Sequence, residues 1–512
     1  MIDTLRPLQI SSYNDVSLEK LSKIRSEFFA DTSITVYADD REPLSVARDL
    51  AEIKTSQGDN YPFLVMDMGC VERLLEAWHV NLPSVQPFYS VRCNSDPVLL
   101  RLLSEKSDIG FCCTNRSEVD LALTMVNQDH VLYANPVWTK GNLRHASESN
   151  VGLLVFESES ELKRISATFP NANLILKVCM NPSINEEVMK VGCEALEEAP
   201  ALLKMAAQEG LKVNGISFSI GAGIPSVGIY THAIQCARTL FGVGTTLGHE
   251  MNVLDIGGGF PGFNNGTGPS FVQFAEAINS ALQKYFFSDV EYSNVRIIAE
   301  PGRYFAASAF FLVTNIIDKR DVDASILTSD SFDTGSTGFV YQTNEGFYGC
   351  FGCRLVTHCE PCCRPLFDVD EDVTNYTYAT ILGPTNNSVD VVQSVAKLPQ
   401  MEVGEWLLWN NMGAYTLGNH GTLNDGGTHK PTVYYLVGNE NWHHLSRPST
   451  PDSDLDSEKL VHTMADSDTE SSGFVDSQSL ESSECESVMT DDEPYWFCAE
   501  WLLDKEIEGL GR

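Results

Sequence analysis

From residue 61 to about 300 the chain repeats one unit: a short apolar run rich in β-branched and aromatic residues, a polar turn, and a longer stretch with apolar positions at helical spacing. The strand-like runs are PFLVMD at 62, PFYSVR at 87, DIGFCC at 108, HVLYAN at 130, VGLLVF at 151, NLILKV at 173, GISFSI at 215, NVLDIGGG at 252 and RIIAE at 296. Between most of them lie amphipathic stretches such as VERLLEAWHV, ESELKRISATF and SFVQFAEAINSALQKYF. Strands alternating with helices imply a parallel sheet, and roughly eight or nine units in ~240 residues predict a (β/α)8 TIM-like barrel. The rival architecture is an open doubly wound sheet. It is disfavoured because GGGFPG after the run at 252 does not match GxGxxG spacing, and no acidic residue closes a following strand.

After about residue 305 the helical period fades. Short strand runs separated by Gly, Asn and Pro take over: FFLVTNII, GFYGCFGCRLVTH, YTYATILG, EWLLWNNMGAYT and TVYYLVG. They predict a mainly antiparallel β domain, joined by the N-terminal fifty residues. The implied boundaries are 1–55 for a segment packing with the β domain, 56–304 for the barrel, 305–446 for the β domain and 447–512 for a tail. Between Pro448 and Pro494 the tail carries 8 Asp and 6 Glu against one Lys, with Ser throughout. Such a composition buries too little apolar surface to offset its ordering entropy, so disorder is expected there. The EPYWFCAEWLLDKEIEGL stretch that follows regains aromatics and reads as a short amphipathic helix or docking motif.

Composition narrows the classes further. A formal charge of -36 disfavours nucleic-acid binding, which needs a concentrated Lys/Arg surface. No run is long and apolar enough for a membrane span, and the start lacks a secretory signal, so the expected location is the cytoplasm, with no membrane partner. The 14 Cys are scattered, several inside apolar runs, as expected of reduced thiols. Cys350, Cys353, Cys359 and Cys362 form a CxxC, five residues, CxxC pattern. Structural zinc sites usually separate their pairs by more, so no metal is expected.

In a barrel, chemistry gathers where strands end, which draws attention to Arg92, Cys112, Lys177, Ser219, Gly257, Gly258, Gly259 and Glu300. Six ordered blocks, PFYSVRCNSD, VLDIGGGFPG, IIAEPGRYFAASAF, NEGFYGCF, LGPTNNSVD and NNMGAYT, resemble the motifs of the eukaryotic ornithine decarboxylase family. That family comprises enzymes dependent on pyridoxal phosphate (PLP) and their antizyme-inhibitor relatives. The resemblance runs from roughly residue 10 to 440 and implies an alanine racemase-like pairing of a PLP barrel with a β domain.

By that resemblance, the lysine that forms the imine with the coenzyme falls at Arg92. A guanidinium keeps its proton and is no amine nucleophile, so the replacement is not conservative. The histidine stacked on the coenzyme falls at Ser219, a phosphate-holding serine at Ala222, a nearby carboxylate at Cys112 and the catalytic cysteine at Asn386. Of the two acids that grip the substrate's distal ammonium, one is Glu345 and the other has become Asn387. Glu300, which would pair with the ring nitrogen, and the phosphate-end residues Gly257, Gly258, Gly259, Arg303 and Tyr415 remain. Glu300 and Arg303 also have a plainer reading, as partners of each other, and the glycines as a tight turn. Arg92 reads equally as a partner of Glu300 or another acid and as a solvent-facing arginine at a strand end. No catalytic residue is expected to function and no cofactor is expected, PLP being the one group the surviving residues favour.

The resemblance supplies a second role. Antizyme inhibitors bind antizyme, and the family's binding surface places basic residues on outer barrel helices. Those positions fall at Arg116, Arg144 and Arg164. Each has an acid nearby in sequence, Glu118, Glu148 and Glu161, so simple solvated helix pairs are the alternative. The sequence therefore points to a pseudoenzyme regulator of polyamine biosynthesis that binds antizyme. The alternatives are a PLP-dependent ornithine or other amino-acid decarboxylase making putrescine, and a subunit forming homo- or heterodimers with ornithine decarboxylase family chains. The acidic tail resembles a PEST-type turnover segment.

Overall fold

In the computed structural model the chain opens with β1 (Ile24–Phe29), β2 (Thr32–Ala38), α1 (Pro43–Ser56), β3 (Phe63–Asp67) and α2 (Met68–Asn81). Residues 20–29, 32–105, 108–180, 191–221, 226–264, 268–357, 360–368, 376–385, 387–417 and 430–438 are described. The acidic segment from Pro448, the EPYWFCAEWLLDKEIEGL stretch, Ala222, Cys359 and Asn386 lie outside the described residues.

Next come β4 (Val85–Ser90), α3 (Pro97–Ser104), β5 (Gly110–Cys113), α4 (Arg116–Leu123), β6 (Val131–Tyr133), α5 (Lys140–Glu148), β7 (Leu153–Phe156), α6 (Glu159–Thr168) and β8 (Asn173–Cys179). They lead into the two-residue β9 (Cys193–Glu194), α7 (Glu198–Gln208), β10 (Lys212–Ser219), α8 (Gly228–Thr246), β11 (Val253–Asp255), α9 (Phe271–Leu282) and β12 (Arg296–Ala299). Strands β4 to β8 and β10 to β12 pair in parallel, each with the next, and β12 returns to β4 through Ile297 opposite Val85. The result is a closed eight-stranded parallel barrel. Polar caps start its helices: Asp96 accepts from the Val98 and Leu99 amides, Asn115 from Glu118, Thr139 from Asn142 and Ser158 from Glu161. Ser270 and Gln273 complete a reciprocal capping box on α9.

Side chains alternate along the strands, and one set fills the barrel interior with an apolar layer: Phe88, Leu132, Leu153, Val155, Ile175, Val253 and Ile298. The other set packs against the helices, where Trp78 meets Phe260, Phe271, Tyr304 and Phe305 and donates to the Val85 carbonyl at 2.9 Å. Among the described residues no helix is long and apolar enough to cross a membrane.

The second sheet uses β1 to β3 with β13 (Phe310–Asp323), β14 (Thr337–Thr343), β15 (Cys363–Pro365), β16 (Tyr376–Leu382), β17 (Val391–Pro399), β18 (Trp406–Trp409) and β19 (Thr432–Val437). Its order is β1-β2-β19-β3-β13-β14-β16-β17, with β18 joining β13 to β15. Most pairings are antiparallel; β19 runs parallel to β2 and β3, and β14 to β16.

Two strand expectations change. The PFLVMD run is not a barrel strand: as β3 it lies between β13 and β19 in the second sheet. The GFYGCFGCRLVTH run is no strand either; Cys350–Cys353 and Arg354–Thr357 are short helical turns. The buried Glu345 carboxylate accepts from the Gly346 amide at 3.0 Å and the Cys350 amide at 3.1 Å, and drawing two donors four residues apart onto one oxygen curls the segment. The two sheets are stitched by Asp96, which caps α3 while accepting from Tyr435 of β19 at 2.8 Å.

Candidate functional site at the barrel mouth

One pleat step above the apolar layer, at the C-terminal ends of the strands, the inward positions turn polar: Cys112 on β5, Lys177 on β8, Ser217 and Ser219 on β10, Asp255 on β11 and Glu300 just beyond β12. Cys112, Lys177, Ser217, Asp255 and Glu300 meet in one cluster, with Ser219 at the next inward position of β10. Glu300 Oε1 lies 3.5 Å from the Lys177 ammonium, and Glu300 Oε2 accepts the Cys112 thiol at 3.3 Å. Asp255 accepts from Ser217 Oγ at 2.7 Å and from the Gly257 amide at 2.9 Å, and its carboxyl also hydrogen-bonds Glu300.

Burial and the Glu300 charge push the Asp255 carboxyl well above its ordinary range, so Asp255 keeps its proton. Burial also acts to raise Glu300, but the Lys177 charge, the hydrogen bonds from Asp255 and Cys112 and the Arg92 charge outweigh it and hold Glu300 ionised. Lys177 would be lowered by burial; the Glu300 charge, its strongest acidic neighbour, holds it above its usual value as an ammonium. The Cys112 thiol is raised by burial and by Glu300 and serves as a donor.

Arg92 is not the partner of Glu300. It sits on the Val91–Cys93 turn after β4 with its side chain exposed, and among the described residues it makes no ion pair; that place belongs to Lys177. Arg303 does not pair with Glu300 either. Its guanidinium faces the Tyr415 ring at 5.9 Å. Tyr415 is held in a left-handed backbone conformation (φ 62°), its amide donating to the Cys93 carbonyl at 2.7 Å, which brings this β-domain loop over the mouth. Asn94 adds a second tie to the same loop through the Gly413 carbonyl at 2.8 Å.

The structure thus gathers Arg92, Cys112, Lys177, Ser219, Glu300, Arg303, Tyr415 and the glycine turn around the mouth. Glu345 is instead buried against its own loop, and Asn387 is exposed in a turn where its side chain accepts from the Val389 amide at 3.0 Å. Cys350 and Cys353 are buried and Cys362 exposed, and among the described residues no group of three or more His, Cys, Asp or Glu is placed to hold a metal ion. The motifs and strand ends do not point to a role for Asp255, Ser217 or Lys177. The available signal was polarity inside apolar runs, in LILKVC, GISFSI and VLDIGGG.

A coenzyme of the PLP type fits this set at one end only. Arg303 and Tyr415 offer donors for a phosphate, but the glycines are required regardless: a Cβ on Gly257 (φ +68°) would lie 2.3 Å from the Phe218 carbonyl, and one on Gly258 2.7 Å from that of Glu300. At the aldehyde end the strand offers a guanidinium rather than an amine. At the ring end both oxygens of Glu300 are already engaged. The residues present do not fit a covalently anchored coenzyme.

On the outer surface, α4, α5 and α6 carry Arg116, Arg144 and Arg164 in turn. The helices are laced together where Arg116 donates to Asn142 at 2.9 Å and His145 meets Asp120 at 2.7 Å. Among the described residues none of the three arginines forms an ion pair. Glu118 is taken by the Thr114 amide and hydroxyl, Glu161 accepts from the Glu157 amide, and Arg164 reaches only Ser160 at 3.5 Å. Elsewhere exposed cations do find acids, as in Lys163–Glu159 at 2.6 Å and Arg73–Asp67 at 2.9 Å.

Residues 68–307 match the family model of the pyridoxal-dependent decarboxylase pyridoxal binding domain. Ornithine decarboxylase of Caenorhabditis elegans is 38% identical over 427 residues, covering 83% of this chain and 98% of its own. Antizyme inhibitor 2 of Xenopus laevis is 36% identical over 404 residues, covering 78% and 86%. The arginine decarboxylase of Paramecium bursaria Chlorella virus, solved with agmatine, superposes with a TM-score of 0.68 at 28% identity, over 77% of this chain and 100% of the viral one. Barrel, second sheet and mouth are those of a pyridoxal-dependent decarboxylase fold. Within that class, the chain belongs to the ornithine decarboxylase family, whose members include both decarboxylases and antizyme inhibitors.

Proposed function

We propose that this chain is an antizyme-inhibitor-like regulator of polyamine biosynthesis, a member of the family that binds antizyme and has left catalysis. The observation that carries the reading is the row Arg116, Arg144 and Arg164 on consecutive outer helices, each without an ion-pair partner among the described residues of a chain whose formal charge is -36. Unneutralised guanidinium groups in a strongly anionic protein suit an acidic partner surface, speeding encounter and fixing register. The relatives named antizyme inhibitor 2 supply the identity of that partner.

The mouth agrees with this reading. Arg92, Ser219, Asn386 and Asn387 stand where catalysis needs other chemistry, and Glu345 turns a carboxylate oxygen onto its own backbone amides. A second reading, an active decarboxylase, is favoured by the retained Glu300, Arg303 and Tyr415. A related one places this chain in mixed dimers with an active family member.

Immobilised antizyme separates the first two when paired with a turnover assay. The regulator reading requires capture of the chain and no carbon dioxide from ornithine. A yellow protein that releases carbon dioxide and is not captured supports the decarboxylase instead, and co-purification with an active decarboxylase subunit supports the mixed dimer.

A further inference from the structure

Lys177 is the unexpected group in the mouth. Its strand is apolar on both faces, Ile175 fills the interior layer one pleat step below, and the next inward position carries an ammonium whose side chain is only 15% exposed. We propose that Lys177 is a resident counter-ion that closes the barrel mouth to a pyridine-type coenzyme, by holding the carboxylate of Glu300 that the ring nitrogen of such a group would need. The inference rests on the reading of the mouth as non-catalytic and names the residue that keeps it so.

Charge balance carries the argument. Asp255 holds its proton, so the inner cluster contains one negative charge, on Glu300, and one positive charge, on Lys177. The pair is neutral as it stands, and the Cys112 thiol occupies the second oxygen of Glu300 at 3.3 Å. An arriving pyridinium meets a carboxylate whose two oxygens already hold Lys177 and Cys112, with a like charge beside it and the Arg92 guanidinium at the rim adding to the repulsion. Arg92 and Lys177 therefore act at different ends: the first removes the covalent anchor, the second removes the ring site. As an ammonium held by Glu300, Lys177 also lacks the lone pair needed to condense with an aldehyde.

The test separates the two ends with two probes. Pyridoxine phosphate, which has no aldehyde, reports the ring site by fluorescence titration; pyridoxal phosphate followed by borohydride and peptide mass mapping reports an imine. The proteins are wild type, Arg92→Lys, Lys177→Met, Lys177→Gln, the Arg92→Lys/Lys177→Met pair and the Lys177→Met/Glu300→Gln pair. Lys177→Met is expected to bind pyridoxine phosphate roughly a hundredfold more tightly than wild type, the factor set by removing a buried ionic competitor. Lys177→Gln, which keeps a donor to Glu300 but no charge, carries the comparison if the methionine variant does not fold.

Adding Glu300→Gln is expected to return affinity to the wild-type level. A borohydride-stable adduct at position 92 is expected with the Arg92→Lys/Lys177→Met pair, and at least about tenfold less of it with Arg92→Lys alone. Three results overturn the inference: equal trapping by Arg92→Lys and the pair, equal pyridoxine phosphate affinity in wild type and the Lys177 variants, or an adduct on Lys177 itself. Antizyme capture by the same proteins stays unchanged if the regulator reading is right, so the two ideas fail separately.

Discussion

Asp255 at the end of β11 and Glu300 just beyond the adjoining β12 form a hydrogen-bonded carboxyl–carboxylate pair with one proton between them. Ser217 from the strand on the other side fixes the Asp255 orientation at 2.7 Å. Asp255 is fully buried and the Glu300 side chain is only 13% exposed, so the protonation of the pair is linked to folding.

The folded chain retains a proton on Asp255 that the unfolded chain releases once pH passes about 4. Stability from this group is thus fully present at low pH and is lost as pH rises toward the raised folded value. Glu300 runs the other way, contributing above about pH 4.3 and losing that contribution only as pH falls. Asp255→Asn keeps a donor toward Glu300 and an acceptor for Ser217 while removing the first effect. Relative to wild type, the variant is expected to gain stability as pH rises above about 4, by at most ~1.4 kcal/mol per pH unit. Urea unfolding at pH 5 and pH 8 reads this directly; a stability difference independent of pH contradicts the shared proton.

Gly257 is expected to be intolerant of substitution with no ligand present. Its φ of +68° and the Phe218 carbonyl, 2.3 Å from a built Cβ, both oppose a side chain. Gly257→Ala should lower stability by roughly 1–3 kcal/mol in coenzyme-free protein. A variant as stable as wild type in thermal unfolding would mean the turn is kept for ligand contact alone.

The junction between the sheets depends on Asp96, buried and serving both the α3 amides and Tyr435. Tyr435→Phe removes one hydrogen bond and is expected to cost about 1–2 kcal/mol, whereas Asp96→Ala removes the helix cap as well and should cost about 2–4 kcal/mol. Equal losses in denaturant titration would show that the cap contributes nothing.

Charge reversal on the outer helices should weaken antizyme binding, and at Arg144, whose side chain is exposed, it should do so without loss of stability; Arg164 is half-buried beside Glu161. Arg144→Glu and Arg164→Glu are each expected to raise Kd roughly tenfold or more, with a larger effect at low salt. Unchanged affinity in calorimetry would remove this face from the interface.

Much of the barrel was legible because its strands are buried on both faces and punctuated by capped helices, a pattern local to the chain. The placement of Phe63–Asp67 was not, since an apolar run followed by a helix looks the same whichever sheet it joins, and its partners β13 and β19 are remote in sequence. That position 92 carries a guanidinium rather than an amine is plain from the residue itself, whereas the need for an amine there is only what the resemblance implies. The partner of Glu300 was not legible: that Lys177 rather than Arg92 neutralises it depends on two strands on different sides of the barrel facing one interior. Polar letters inside apolar strands, Lys177 and Asp255, carried the signal without naming their partners.

The account meets its most direct test in carbon dioxide release by a separate, active ornithine decarboxylase held inhibited by antizyme, measured as this chain is added. Release should return in proportion to the added chain, which by itself yields none. If the inhibited enzyme stays silent, or the added chain alone liberates carbon dioxide from ornithine, the regulator reading is contradicted.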